Sequence, residues 1–327
     1  MLCKGCYKKT QDGYCLPCRK KLFSKAKIAA FLDFDAPKAD NQATFQEHTK
    51  HLSISGVQLK YSLKLENKSL QLCEHGGQYI LKPIPPAKQL VHLDDVPENE
   101  HLTMQIAEQL FGIRTAGNAL IYFKDGLPGY ITRRFDIDTD GKKILQEDFA
   151  QLTNRTNITH GETYKYDGTY EEIGLLIKKF VAASMPALEQ FFQLLVFNYV
   201  FSNGDAHLKN FSLSTNQLGE SKLTPAYDLL STVIHTPMES DVALDLYKND
   251  IGSAFYSRYG YYGKPDFLAL ASRLGIVQRR AERIIDSFGM QQRKIEEFVN
   301  QSFLSAAVKG RYYLNAIEKM KRLEQVL

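Results

Sequence analysis

Asp205, Asn210 and Asp228 are the residues whose types and spacing carry a recognisable chemistry. In Asn203-Gly204-Asp205-Ala206-His207-Leu208-Lys209-Asn210 a carboxylate stands five positions before an amide, and Tyr227-Asp228 adds a second carboxylate 18 residues after that amide. Phosphoryl transfer is mostly positioning and charge neutralisation, so short oxygen-bearing side chains on stiff loops suit it. In such a site one Asp orients the attacking hydroxyl, while the Asn and the later Asp hold magnesium on the nucleotide phosphates. Asn-Gly is also a strong turn signal, and a polar surface turn is the ordinary reading of Asn203-Gly204-Asp205 alone. Asn210 and Asp228 at these offsets reverse that reading. The loop directly follows a very apolar helix candidate, Ala187 to Phe201, which would serve it as a rigid platform.

Upstream segments offer the remaining parts of a nucleotide site. Ser53-Ile54-Ser55-Gly56-Val57-Gln58-Leu59-Lys60 opens a strand-like run, and its small residues let backbone N–H groups approach phosphate oxygens while Lys60 adds charge; a plain turn is the alternative. Lys82 ends the apolar strand Tyr79-Ile80-Leu81-Lys82, either as a snorkelling edge residue or as a cation reaching the phosphates. Glu100, in the first turn of the next helix, is placed to pair with Lys82, although an acid there also suits the helix dipole. Arg133-Arg134-Phe135-Asp136 closes a later strand where Phe135 can pack on an adenine ring or in the core.

A second constellation lies at the amino terminus. Four of the five cysteines form Cys3-x2-Cys6-x8-Cys15-x2-Cys18, two paired-thiol turns that can complete a tetrahedral zinc shell. So short a segment has no core of its own, and metal would supply its folding energy. Reduced free thiols are the alternative, and the lone Cys73 reads as a small buried apolar residue.

These residues need elements to position them. Strand-like runs cover Gln58 to Leu65, Ser69 to Cys73 and Tyr79 to Lys82; a helix opens at Pro97 and stops near Gly112; strands follow at Ala119 to Phe123 and Tyr130 to Phe135. From Leu145 onward the periodicity reads as helical, with candidates at Tyr170 to Val181, Ala187 to Phe201, Pro265 to Leu274, Val277 to Phe288, Gln292 to Ala306 and Gly310 to Val326. The expectation is an α+β, two-lobed protein: a cysteine module at 1–22, a connector at 23–50, a small mixed lobe at 51–137 and a larger helical lobe at 138–327. The 327 residues suffice for two cores, and 44% apolar with 24% charged residues is ordinary globular composition. A net charge of +4 is too small to imply nucleic-acid binding, and no run is long enough to span a membrane. The first residues lack an apolar signal core, so a cytoplasmic protein is expected.

With these pieces in order the chain resembles the HipA family of bacterial toxin kinases. The resemblance rests on Ser53-Ile54-Ser55-Gly56-Val57-Gln58-x-Lys60, Ile80-Leu81-Lys82-Pro83, Asn99-Glu100, Arg134-Phe135-Asp136 and Gln146-Glu147-Asp148. Its most specific parts are Gly204-Asp205-Ala206-His207-x-Lys209-Asn210-Phe211-Ser212 and Leu223-Thr224-Pro225-Ala226-Tyr227-Asp228. The Ser-Ile-Ser loop looks most like the compact HipT type. The resemblance implies a protein-kinase-like fold and a serine/threonine kinase using ATP and Mg2+, with Asp205 as base and Asn210 and Asp228 as metal ligands. It implies ATP contacts from Ser55, Gly56, Val57, Gln58, Leu59 and Lys60, from Lys82, and from Arg133, Arg134 and Phe135. Further ATP contacts are implied for His207, Leu208, Lys209, Asn210, Tyr227 and Asp228. Autophosphorylation at Ser53 or Ser55, an aminoacyl-tRNA synthetase substrate and a helix-turn-helix HipB-like antitoxin are also implied, with DNA reached only through the antitoxin. The family's further amino-terminal subdomain would be a separate HipS-like protein or be replaced by the cysteine module; the four cysteines themselves are not inherited from the resemblance. Two other readings compete: a small-molecule kinase of the aminoglycoside or choline kind, and a pseudokinase scaffold.

Overall fold

The computed structural model describes residues 1–38, 59–86, 90–138 and 141–325. Ser53, Ser55, Gly56, Val57 and Gln58, and with them the nucleotide-covering loop expected there, lie outside these residues. Helix α1 (Leu16–Phe23) follows the cysteine turns. Strands β1 (Tyr61–Glu66), β2 (Ser69–Leu72) and β3 (Tyr79–Pro83) precede helix α2 (Val96–Phe111), and β4 (Asn118–Tyr122) and β5 (Pro128–Arg133) follow it. They form one antiparallel sheet in the order β2-β1-β3-β5-β4. Pro97 in the first turn and Gly112 at φ 65° bound α2 as their chemistry dictates, a proline tolerated where no N–H is needed and a glycine in the left-handed stop.

The first 36 residues do not stand apart from this sheet. Tyr14, Leu22, Phe23, Ile28 and Leu32 share a core with Leu63, Leu81, Ile121 and Ile131. The backbone amides of Leu120 and Tyr122 donate to the carbonyls of Lys4 and Ala30, so the amino-terminal segment covers the edge strand β4 that would otherwise offer unpaired groups.

Beyond the sheet the chain is mainly helical: α3 (Tyr170–Phe180), α4 (Ser184–Val200), α5 (Ala254–Tyr259), α6 (Lys264–Leu274), α7 (Gln278–Gly289), α8 (Gln292–Gln301) and α9 (Ala306–Glu324). The apolar α4 is the centre, with Leu188, Phe191, Phe192, Leu195 and Phe197 fully buried among α3, α7 and α9. Two expectations are corrected here. The region after Leu145 is not helical throughout: β6 (Leu145–Asp148), β7 (Ser212–Thr215) and β8 (Ser221–Leu223) form a second sheet in that order. The run Gln292 to Ala306 is also broken, because α8 ends at Gln301 and Ser305 starts α9 in extended backbone.

Candidate active site

Helix α2 is buried on nearly every side yet carries Asn99, Glu100, His101, Thr103 and Gln105 in its buried positions. Buried polar groups are costly without partners, so a helix like this is built to hold them in place. Lys82 Nζ, at the end of β3, donates to Glu100 Oε1 at 2.5 Å and to Asp228 Oδ1 at 2.5 Å, and Lys60 Nζ donates to Asp228 Oδ2 at 3.1 Å. The Lys82 and Glu100 side chains are 3% and 1% exposed. Burial alone would lower the Lys82 pKa, but the Asp228 and Glu100 carboxylates more than reverse this and hold the ammonium charged. Burial would raise Asp228, yet the two lysines overcome it and keep the carboxyl well below its usual range. Asp228 itself sits at φ 55°, a left-handed conformation that Asp tolerates better than most residues.

Asn99 ties this helix to the Asp228 loop. Its amide donates to Ser231 O at 2.9 Å and accepts from Ser231 N at 3.0 Å, and it lies 2.9 Å from His235 Nε2. His235 Nδ1 is 3.0 Å from Val91 O, which fits a neutral ring donating there and accepting from Asn99.

The loop leaving α4 carries the second half. Asn203 Nδ2 donates to Asn198 Oδ1 at 3.1 Å and to Asp228 O at 3.3 Å, binding the two loops together. Gly204 is a close-approach position, since a Cβ there would stand 2.4 Å from Ser240 O and 2.0 Å from Glu239 Oε1. Its N–H donates to Thr232 Oγ1 at 2.8 Å, and Tyr170 OH donates to Ala206 O at 2.8 Å. Between these anchors Asp205 projects to the surface of the cleft. Asn210 Oδ1 accepts from His207 N at 3.1 Å. Desolvation lowers His207 to about 4, so its imidazole is neutral near pH 7, and its buried Nδ1 has no partner among the described residues.

Asp205, His207 and Asn210 line one cavity of about 1140 Å³, together with Lys60, Lys82, Arg133, Arg134, Phe135, Lys209, Tyr227 and Asp228. Phe135 meets the Tyr227 ring at 5.5 Å between centroids. The N–H groups of Arg133 and Arg134 are already taken by Gly117 O and Gln78 O, and Arg134 pairs with Asp136 at 2.5 Å. Two of the expected contact residues do not line the cavity with their side chains. Leu208 is fully buried in the main core and Leu59 packs on the small-lobe core, so neither side chain lines the cavity.

Residues without a sequence signal complete the site. Tyr166 OH donates to Asp205 Oδ1 at 2.5 Å, and Lys165 Nζ and His207 Nε2 each lie 3.8 Å from the same oxygen. Thr232 Oγ1 donates to Glu239 Oε1 at 2.6 Å, and burial pushes the Glu239 carboxyl up to about 7. Tyr166, Lys165, Thr232 and Glu239 come from the 161–168 and 231–240 segments, which carry no motif.

Separately, the Sγ atoms of Cys3, Cys6, Cys15 and Cys18 lie within 4.8 Å of one another. Cys73 is buried.

A five-stranded sheet, a buried helix supplying an acid to a strand lysine and a helical body carrying the loop carboxylates define a kinase-like fold. The likeness to solved structures agrees: HipA in the Shewanella oneidensis MR-1 complex of HipA, HipB and operator DNA superposes with a TM-score of 0.63 at 19% identity, covering 89% of this chain and 72% of that one. The Helicobacter pylori proinflammatory kinase CtkA gives 0.51 at 15% identity, over 80% of this chain and 93% of that one. The model of the HipA-like C-terminal domain matches residues 52–295, and the chain belongs to that family. A putative kinase of Haemophilus influenzae is 28% identical over 270 residues, 77% of this chain and 76% of the relative. The putative kinase Y4dM of Sinorhizobium fredii is 33% identical over 230 residues, 64% of this chain but 53% of its own length.

Proposed function

We propose that the protein is an ATP-dependent serine/threonine protein kinase acting as the toxin of a toxin–antitoxin pair. The observation that carries this reading is Lys82 held between Glu100 and Asp228 in the cavity that Asp205 and Asn210 also line. The oxygen donors Asp228 and Asn210 suit a hard divalent cation, so they are the residues to hold magnesium. When bound, magnesium supplies positive charge against the β- and γ-phosphates. Lys82 uses two of its three donors on carboxylates, leaving one for a phosphate oxygen. Asp205 accepts the proton of the acceptor hydroxyl, Phe135 covers the base, and Lys60 and Lys209 add charge at the cavity wall. The roles of Ser55 to Gln58 follow only from the resemblance, as does switching by autophosphorylation at Ser53 or Ser55, where a phosphate would add about −1.5 to −2 charges beside the nucleotide.

Among the described residues the cavity wall carries six acidic side chains (Asp136, Asp148, Glu162, Asp205, Asp228, Glu239) against six basic ones (Lys60, Lys82, Arg133, Arg134, Lys165, Lys209). That balance favours a protein acceptor over the cationic small molecule for which an acidic cleft would be built. In this reading an aminoacyl-tRNA synthetase is the acceptor, a HipB-like protein the antitoxin and a HipS-like protein a further partner, with zinc at the four thiols. The lobes are assigned to 51–137 and 138–327.

Incubating the purified chain with labelled ATP and cell extract, beside Asp205→Asn, tests the reading. Label on a protein band and on Ser53 or Ser55 with the wild type alone is the expected result; equal labelling by both proteins would overturn it.

A further inference from the structure

The amino-terminal cysteines have no part in phosphoryl transfer, yet their placement relative to α2 is specific. Cys6 Sγ and Cys15 Sγ are 3.6 Å apart, far beyond the roughly 2.05 Å of a disulfide. A zinc–sulfur bond of about 2.3 Å sets tetrahedral edges of about 3.8 Å, close to the Cys6–Cys15 separation, and all four sulfurs lie within 4.8 Å of one another. The N–H groups of Gly5 and Cys15 point at Cys3 Sγ, at 3.4 and 3.2 Å, as outer-shell donors to a metal-bound sulfur do. A Cβ on Gly5 would stand 2.8 Å from Cys18 Sγ, so only glycine lets the fourth sulfur close on the other three.

The turn that these sulfurs enclose ends in Tyr7, held at φ 62°. Its hydroxyl is 2.9 Å from Nδ1 of His101, the residue directly after Glu100, and both groups are buried. Its ring lies 6.1 Å from Phe298 on α8 and 5.6 Å from Phe303 beyond it. Gln109 Nε2, two turns further along α2, donates to Cys6 O at 3.3 Å, and Lys21 pairs with Glu108 at 2.5 Å. The cysteine segment therefore grips α2 at three points and wedges Tyr7 between that helix and the larger helical body.

We propose that Cys3, Cys6, Cys15 and Cys18 bind one zinc ion, and that the zinc-held segment fixes α2 where Glu100 meets Lys82. Metal occupancy then sets the strength of nucleotide binding, a consequence that rests on the kinase reading above. Without the ion, the Cys3–Tyr7 turn keeps the Lys4 N–H bond to Gly13 O but loses the metal's direct tie to the Cys15–Cys18 turn. Tyr7 is then free to leave its left-handed conformation, and α2 loses its outer support.

The test uses the full chain, purified without chelator and then stripped of metal by a chelating dye. Elemental analysis is expected to find about one zinc per chain. Hydrogen exchange of the 98–106 amides is expected to quicken about tenfold or more on stripping and to recover when zinc is returned, as loss of the supporting contacts implies. Tyr7→Phe and Gln109→Ala retain zinc while each removing one grip, and each is expected to quicken the same amides about fivefold, the worth of one buried hydrogen bond. Magnesium–ATP affinity is expected to fall in parallel in all three cases. Zinc-free protein as isolated, or unchanged exchange in α2 after stripping, overturns the proposal. Protein that loses α2 protection on stripping but transfers no phosphate in any form supports the clamp and overturns the kinase reading instead.

Discussion

Asp205 is met by a hydroxyl in the present structure, that of Tyr166, and burial together with the Asp205 hydrogen bond keeps this phenol protonated by raising its pKa. A candidate base must lie within hydrogen-bond reach of the proton it accepts, so if Asp205 is the base, as proposed, Tyr166 occupies the seat of the acceptor serine or threonine. Hydrogen bonds to a charged group are worth about 1.5–3 kcal/mol, so Tyr166→Phe is expected to leave the fold intact and lower the KM for the protein acceptor about tenfold. Steady-state kinetics on the phosphorylated protein decides this, and an unchanged KM would show that the acceptor enters by another side. For Asp205→Asn the expected outcome is loss of transfer with nucleotide binding largely kept, a loss of several kcal/mol in transition-state stabilisation. Asp228→Asn is expected to remove the magnesium-dependent part of nucleotide affinity as well, which calorimetry with and without the metal separates. Wild-type rates in the first variant, or metal-dependent affinity preserved in the second, would reassign those carboxylates.

At the level of elements, α2 links strand β3, the Asp228 loop and the cysteine segment, and Asn99 is its most heavily used polar residue. Asn99→Ala removes the bonds to both backbone groups of Ser231 and to His235. Leaving such buried groups unpaired costs about 1–3 kcal/mol each, so the urea midpoint is expected to fall and nucleotide affinity with it; an unaltered midpoint would mean that water replaces the amide. This coupling was only partly legible in the amino-acid order. The strands around Lys82 and the helix from Pro97 to Gly112 are readable because apolar alternation, a first-turn proline and a terminal glycine mark them. The pairing of Lys82 with Glu100 is readable because an acid early in the next helix can partner a lysine at the strand end, although Glu100 stands in the second turn of α2 and not the first. The β6-β7-β8 sheet is not, since strands of three or four residues with half-exposed side chains show no period. Ser302 to Ser305 breaks a helical pattern without glycine or proline, so the stretch that opens at Gln292 reads on to Ala306, the first residue of α9. Tyr166, Lys165, Thr232 and Glu239 arrive from loops whose placement is set by distant packing, and nothing local announces them.

For the molecule as a whole, buried titratable groups of both kinds shape the response to pH. His207 and His101 are lowered by burial to about 4 and about 3 from 6.5, while Glu239 and Glu98 are raised by burial to about 7 and about 8 from 4.5. Below pH 6.5 the unfolded histidines bind protons that the folded ones do not, so they make stability fall as pH drops. Above pH 4.5 the folded glutamic acids keep protons that the unfolded ones release, so they make stability fall as pH rises. Between those limits the two contributions oppose each other. A broad maximum is expected there, with an acid limb from the histidines and an alkaline limb, extending to about pH 8, from Glu98 and Glu239. Urea titrations across pH 3 to 9 check this, and Glu98→Gln is expected to flatten the alkaline limb; an unchanged limb would assign it to other groups. The ion pairs of Asp228 with Lys60 and Lys82 have a further effect at this scale, because the lysines belong to the sheet side and the carboxylate to the helical side. A carboxylate already satisfied by two cations is a poor metal ligand, and the Lys60 and Lys82 donors turned to Asp228 are not available to an anion, although Lys82 keeps its third donor. In the proposed kinase, with magnesium on Asp228 and nucleotide at the lysines, Asp228 exchanges partners on both fronts together, which would make the two ligands heterotropic effectors of each other. The factor by which magnesium tightens the nucleotide is then the factor by which the nucleotide tightens magnesium, with a coupling of about 1–3 kcal/mol. Titrations in the two orders measure it, and simple additivity would mean that the carboxylate keeps its lysines in the ternary complex.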